Sequence, residues 1–220
     1  MRSMASGGKI VGGSSLGDQA LESRRADAEA RLSFWADTRR YAGLIRFFDR
    51  SDWMAYVAWV GLMSGLLFST AGFTIWGAIH GVQFPAYVWN VPVGTFIFIA
   101  AIAFDTIGHR TAYKAELKKG EELVHHITIF AGITSVVLLC LAWHFPVFLR
   151  IPALSLVALS LFYSVINEAM HWRRYVNGFS DRVEMWSHFF IFLGHTIMIL
   201  SWVQWFEAGY PGVRETLQFL

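Results

Sequence analysis

Charge is scarce in this chain. Only 15% of its 220 residues are Asp, Glu, Lys or Arg, against about one quarter in a typical soluble domain, so a water-exposed globule is not the expectation. Cysteine is scarcer still. Cys140 stands alone inside an apolar run, which excludes an intrachain disulfide and a thiolate-built zinc site and leaves the redox compartment unspecified. The first 50 residues hold no apolar core followed by small residues; no cleavable leader is expected, and the first span would itself serve as anchor. The net charge of +2 is uninformative as a sum, and no nucleic-acid partner is expected.

Apolar and aromatic residues are abundant instead. The chain is 55% hydrophobic, with ten Trp and nineteen Phe, as expected where lipid replaces water and aromatics gather at the interfaces. Five apolar segments, at about 53–79, 91–113, 122–143, 151–172 and 183–206, are each long enough to cross a bilayer, which takes roughly 20 helical residues. HFPVFLRIP, at 144–152, reads as a short turn between the third and fourth. The expected fold is all-α: an integral membrane bundle of about five transmembrane helices over 51–208, preceded by an amphipathic helix over 18–50. Residues 1–17, rich in Gly and Ser, read as disordered, and 209–220 as a tail. In the amphipathic stretch Phe34, Trp35, Tyr41, Leu44, Ile45 and Phe48 fall near one face, flanked by Arg31, Arg39, Arg40 and Arg46. Such a helix either lies on the membrane surface or packs on the bundle.

The distribution of Lys and Arg sets an orientation. Of 18 such residues, nine precede the first span, four lie between the second and third (Arg110, Lys114, Lys118, Lys119), and three between the fourth and fifth (Arg173, Arg174, Arg182). With five alternating spans these all fall on one side; only Arg150 and Arg214 fall on the other. The positive-inside rule then places the N-terminus in the cytoplasm, and the expected location is the inner (plasma) membrane, multi-pass.

Ionisable residues cluster at that same side. Asp105 and His109 close the second span; Glu122, His125 and His126 open the third; Glu168 and His171 close the fourth; Glu184 and His188 open the fifth, with His195 seven residues deeper. Residues three or four apart share a helix face, so each of four helices offers a carboxylate beside an imidazole. One Glu-x-x-His is common by chance, and a lone interfacial His is more often a packing residue than a ligand. Four such pairs at one depth point to a metal site, since Glu-x-x-His pairs on facing helices bind two metals in four-helix bundles and intramembrane ionisable residues face the bundle interior. The bland alternative is a set of carboxylate–His hydrogen bonds holding the helices together. Tyr113, Trp172 and Trp186 lie near this layer, to line the site or to anchor the interface.

Mixed imidazole and carboxylate donors suit iron, manganese or zinc, and imidazole-rich sets also suit copper. Ten candidate ligands exceed the three protein ligands of a catalytic zinc. That favours a transition-metal pair, di-iron first, or one ion with outer carboxylates orienting the histidines. The corresponding function is an O2-activating oxidoreductase (hydroxylase, desaturase or oxidase) taking a membrane lipid or lipophilic small molecule from the bilayer. It would need an electron-donor protein and could work as an oligomer or hetero-oligomer. Alternatives from other classes are a zinc hydrolase of lipids with a Glu as general base and a haem-binding electron-transfer subunit.

FDTIGH followed by ELVHH, then NEAMH followed by WSH, resembles the C subunit of the copper membrane monooxygenases, the particulate methane and ammonia monooxygenases. The resemblance covers about residues 91–206. It implies one ligand set of Asp105, His109 and His125 and another of Asn167, His171 and His188. It also implies a subunit that works only within a larger oxygenase, with its site on the membrane side opposite to the one the basic residues assign here.

Overall fold

The computed structural model describes residues 33–112, 119–178 and 180–220. The expectations for residues 1–17 and 18–32, for Tyr113 and for the side chain of Glu122 lie outside the described residues. Two compact units divide between Arg39 and Arg40. Of the first, residues 33–39 are described. They open helix α1 (Phe34–Ala42), where the Thr38 hydroxyl donates to the Phe34 carbonyl at 2.8 Å and Trp35 is 76% exposed.

In the second unit the helix expected to run on to residue 48 tightens into a 3-10 turn at Gly43–Phe47, and Phe48 is extended. The reason is the next helix. Asp49 accepts from the Asp52 backbone N–H at 2.9 Å and the Asp52 carboxylate accepts from the Asp49 N–H at 3.2 Å. This reciprocal cap needs non-helical backbone at its first residue. Tyr41 is buried against Ile107 and Val183, with Leu44, Ile45 and Phe48 packed around them. From Tyr41 onward the segment thus packs on the bundle.

Five helices are long and apolar enough to cross a membrane: α2 (Arg50–Ile79), α3 (Asn90–Arg110), α4 (Lys119–Leu141), α5 (Pro146–Val176) and α6 (Arg182–Glu207). A short α7 (Val213–Leu217) follows, and no strand occurs among the described residues. The chain is an all-α, multi-pass membrane protein. Its outward side chains fit a lipid surround: Phe68, Phe130, Phe148 and Phe162, on α2, α4 and α5, are exposed, as lipid allows and water would penalise.

Residues 144–152 are not a turn. The helix starts at Pro146, and Pro152 sits inside it. Proline suits a first helical turn, where its missing N–H leaves no bond unmade. Further in, it is tolerated in membrane helices more readily than in soluble ones.

Contacts at the two ends establish alternation. At one end Arg110 lies 3.8 Å from Asp52, and Asp105 meets His188. At the other, Arg150 forms a two-pronged pair with Glu207, and the buried Tyr210 hydroxyl donates to the Leu139 carbonyl. Tyr210 has a φ of 54°, a strained conformation for a bulky residue, held by packing on Trp143, Trp205 and Phe206. Burial raises its phenol above the usual tyrosine range.

The bundle is built from two close pairs, α3 with α6 and α4 with α5, joined through α5 and α6. Glycine makes the first pair tight. A Cβ on Gly94 would stand 2.5 Å from the Met198 backbone nitrogen, and one on Gly194 would stand 2.6 Å from that of Phe98. Backbones approach this closely only where side chains are absent, the usual device of membrane helix packing.

Candidate metal centre

The α3–α6 contact carries Asp105 and His188 to the same depth. His188 Nε2 lies 2.8 Å from Asp105 Oδ1, and His109 Nε2 lies 3.3 Å from the same oxygen. Asp105 thus stands between two imidazoles, one from its own helix and one from α6. In a low-dielectric bundle such a carboxylate fixes ring orientation and tautomer.

On α6 the Asp181 carboxylate accepts from the Val183 and Glu184 N–H groups at 2.9 Å. This cap fixes the helix start and places Glu184 in the first turn, where the helix dipole favours an anion. Glu184, 1% exposed, lies 3.5 Å from His171 Nδ1 and 3.4 Å from Arg174 Nη1, both on α5. His171 and Arg174 are three apart and share a face. The same face continues downward through Ser164, Ser160, Val157 and Ala153, all buried.

Four rings converge. The centroids of His109, His125, His171 and His188 all lie within 6.3 Å of one another. His171 and His188 are stacked at 3.2 Å with 16° between their planes. Two groups have donor atoms within 4.8 Å of one another: His109, His125 and His188, and His171, Glu184 and His188. His188 belongs to both, so the two groups share a residue and could hold one or two ions as a single cluster.

The donors suit a metal ion. His125 Nε2 and His188 Nδ1 are buried and have no hydrogen-bond partner among the described residues. Such nitrogens are costly in a dry interior, and coordination is one way to satisfy them. Every ring donor here sits on a helix held by packing rather than on a loop, which fixes its position.

Four other sequence candidates stand differently. His126 is exposed on α4 and joins neither group. Glu168 is half-buried, interacts electrostatically with His188 and hydrogen-bonds Trp172, but also joins neither group. Asn167 is half-buried and its Oδ1 has no hydrogen-bond partner among the described residues. His195 is buried deeper, its Nδ1 3.4 Å from the Ser164 hydroxyl. Trp172 and Trp186 are partly exposed at the margin of the layer.

Three polar residues gain a place that sequence reading gave them only in part or not at all. Arg174 pairs with Glu184, Asp52 pairs with Arg110, and Ser164 meets His195. A signal existed for two of them. Ser160, Ser164, Asn167, His171 and Arg174 recur at spacings of four, three, four and three, a single polar stripe along the fourth span.

Comparison with protein-family models, with curated proteins and with solved structures finds no match. The functional reading therefore rests on the residues themselves.

Proposed function

We propose that this chain is a metal-dependent membrane oxidoreductase that activates O2 and acts on a lipophilic substrate. The observation that carries the reading is the convergence of His109, His125, His171, His188 and Glu184 from four membrane-spanning helices into two donor groups sharing His188. A redox-active ion bound there would supply the oxygen chemistry. The chain's own part is to hold it: His109, His125 and His188 on one side, His171 and Glu184 on the other. Asp105 orients His188 and His109. Arg174 balances the Glu184 charge and keeps that carboxylate available in a medium that penalises a lone anion.

The donor set gives specific support to the copper reading. Among the described residues, imidazoles outnumber carboxylates within the two groups, and Glu168 joins neither. Imidazole-rich sets suit copper as well as iron. The resemblance to the C subunit of the copper membrane monooxygenases names Asp105, His109 and His125, and Asn167, His171 and His188; Asp105 and the four histidines lie in this cluster, while Asn167 is half-buried with its Oδ1 unpartnered among the described residues. On that reading the chain is one subunit of a larger oxygenase.

Reductant-dependent O2 consumption tests the proposal. Protein reconstituted in lipid nanodiscs and loaded with iron or with copper should consume O2 with a reductant present, and His188→Ala should abolish it. Tight binding of zinc alone, with no O2 consumption under either loading, would overturn it in favour of a hydrolase.

A further inference from the structure

His195 lies apart from both donor groups. It is seven residues beyond His188 on α6, about 10 Å further into the bundle at 1.5 Å per residue. It is 6% exposed, and its Nε2 has no hydrogen-bond partner among the described residues. Its other nitrogen, Nδ1, contacts the Ser164 hydroxyl at 3.4 Å. Leaving a ring nitrogen unpaired at mid-membrane depth is costly, so the position calls for a partner.

Two neighbours define the surroundings of that ring. Gly132 on α4 faces Nε2, which is the sole atom within 4 Å of where a Cβ would stand, at 3.9 Å. A Cβ there would make ordinary van der Waals contact with Nε2, and a longer side chain would cover it. On the other side is Phe98 of α3, its ring centroid 6.0 Å from that of His195. Helices α3 and α4 are consecutive but share almost no close backbone approach among the described residues, each packing on a different partner. The α3–α4 boundary is thus the more loosely joined way toward His195, with His109 and His125 meeting across it at the metal-binding end.

We propose that His195 Nε2 binds the hydroxyl of a lipophilic alcohol that reaches it from the bilayer through the α3–α4 seam over Gly132. A neutral imidazole has one donor and one acceptor nitrogen, and which is which depends on the Ser164 contact. A hydroxyl both donates and accepts, so it satisfies Nε2 in either tautomer, whereas an alkane satisfies it in neither. Identifying that alcohol as substrate or product of the metal centre rests on the oxidoreductase reading; the binding itself does not.

Nitrogen NMR of 15N-histidine-labelled protein in nanodiscs tests this, with 1-decanol and decane as probes at equal membrane content. The His195 ring resonance, identified by its loss in His195→Phe or His195→Gln, should shift saturably with decanol and stay still with decane. Gly132→Leu, which fills the space before Nε2, should raise the half-maximal decanol content by about tenfold, comparable to the loss of one hydrogen bond. A resonance unmoved by decanol would mean that an internal water alone serves His195, and an equal response to decane would mean a packing change; either overturns the proposal. Metal content, measured on the same samples, separates the two readings. Bound metal without the decanol response removes only the His195 site, and the response without metal removes only the metal centre.

Discussion

At the scale of single residues, His188 and Asp105 organise the site. His188 is common to both donor groups, and Asp105 reaches it at 2.8 Å while also touching His109. Outer carboxylates of this kind raise metal affinity by orienting the ring and increasing its basicity. Asp105→Ala should therefore weaken metal binding by about 10- to 100-fold in chelator competition, while His126→Ala, on an exposed position, should leave it unchanged. The reverse order of effects would show that Asp105 is merely a packing partner. Residue type and depth were legible in the sequence, but the choice among neighbours was not. His125 and His126 are adjacent, and adjacent helical residues point about 100° apart, so only one can face the centre. Which one depends on how α4 is rotated, and that is set by its packing on α5. His195 shares a face with His188, yet two further turns carry it out of reach of the shared donors.

At the scale of elements, the α3–α6 pair sets the geometry. Asp105 and His188 meet because the helices touch backbone to backbone at Gly94 and Gly194. Gly94→Leu should be severe. The obstructing atoms are the backbone of Met198 and Gly194, which cannot swing aside, so the cost should exceed the ~1–3 kcal/mol usual for overpacking. Thermal unfolding followed by circular dichroism in detergent reads this directly; an unchanged midpoint would mean that the pair is not held by this contact. The five spans were legible from length and hydropathy because lipid demands a long apolar run. Their ends were less so. Pro146 and Pro152 suggested a turn at 144–152, but one starts a helix and the other is carried within it. Near residue 43 the charge pattern predicted a continuous helix, and the Asp49–Asp52 cap broke it.

At the scale of the whole molecule, alternation of the helices gathers the basic ends and the donor layer at one face. Arg110, Arg174 and Arg182 lie at the same ends of their helices as Asp105, His171 and Glu184. If that face is cytoplasmic, as the positive-inside rule proposes, a Cys140→Ser protein carrying Asn177→Cys should react with an impermeant thiol reagent only after the cell is opened. Labelling of intact cells would reverse the orientation and strengthen the copper-monooxygenase likeness. The five-helix architecture was legible in the sequence at this scale. The pairing of helices was not, because it depends on which glycines meet.

The metal content of the protein purified without added metal is the most direct measurement. Elemental analysis should find one or two tightly bound iron or copper ions per chain, retained through gel filtration and lost in His188→Ala while the helical circular dichroism is kept. A fully helical protein with no bound transition metal, and no change in fold or stability when His171 and His188 are both replaced, would contradict it and leave the histidine layer as a set of structural hydrogen bonds.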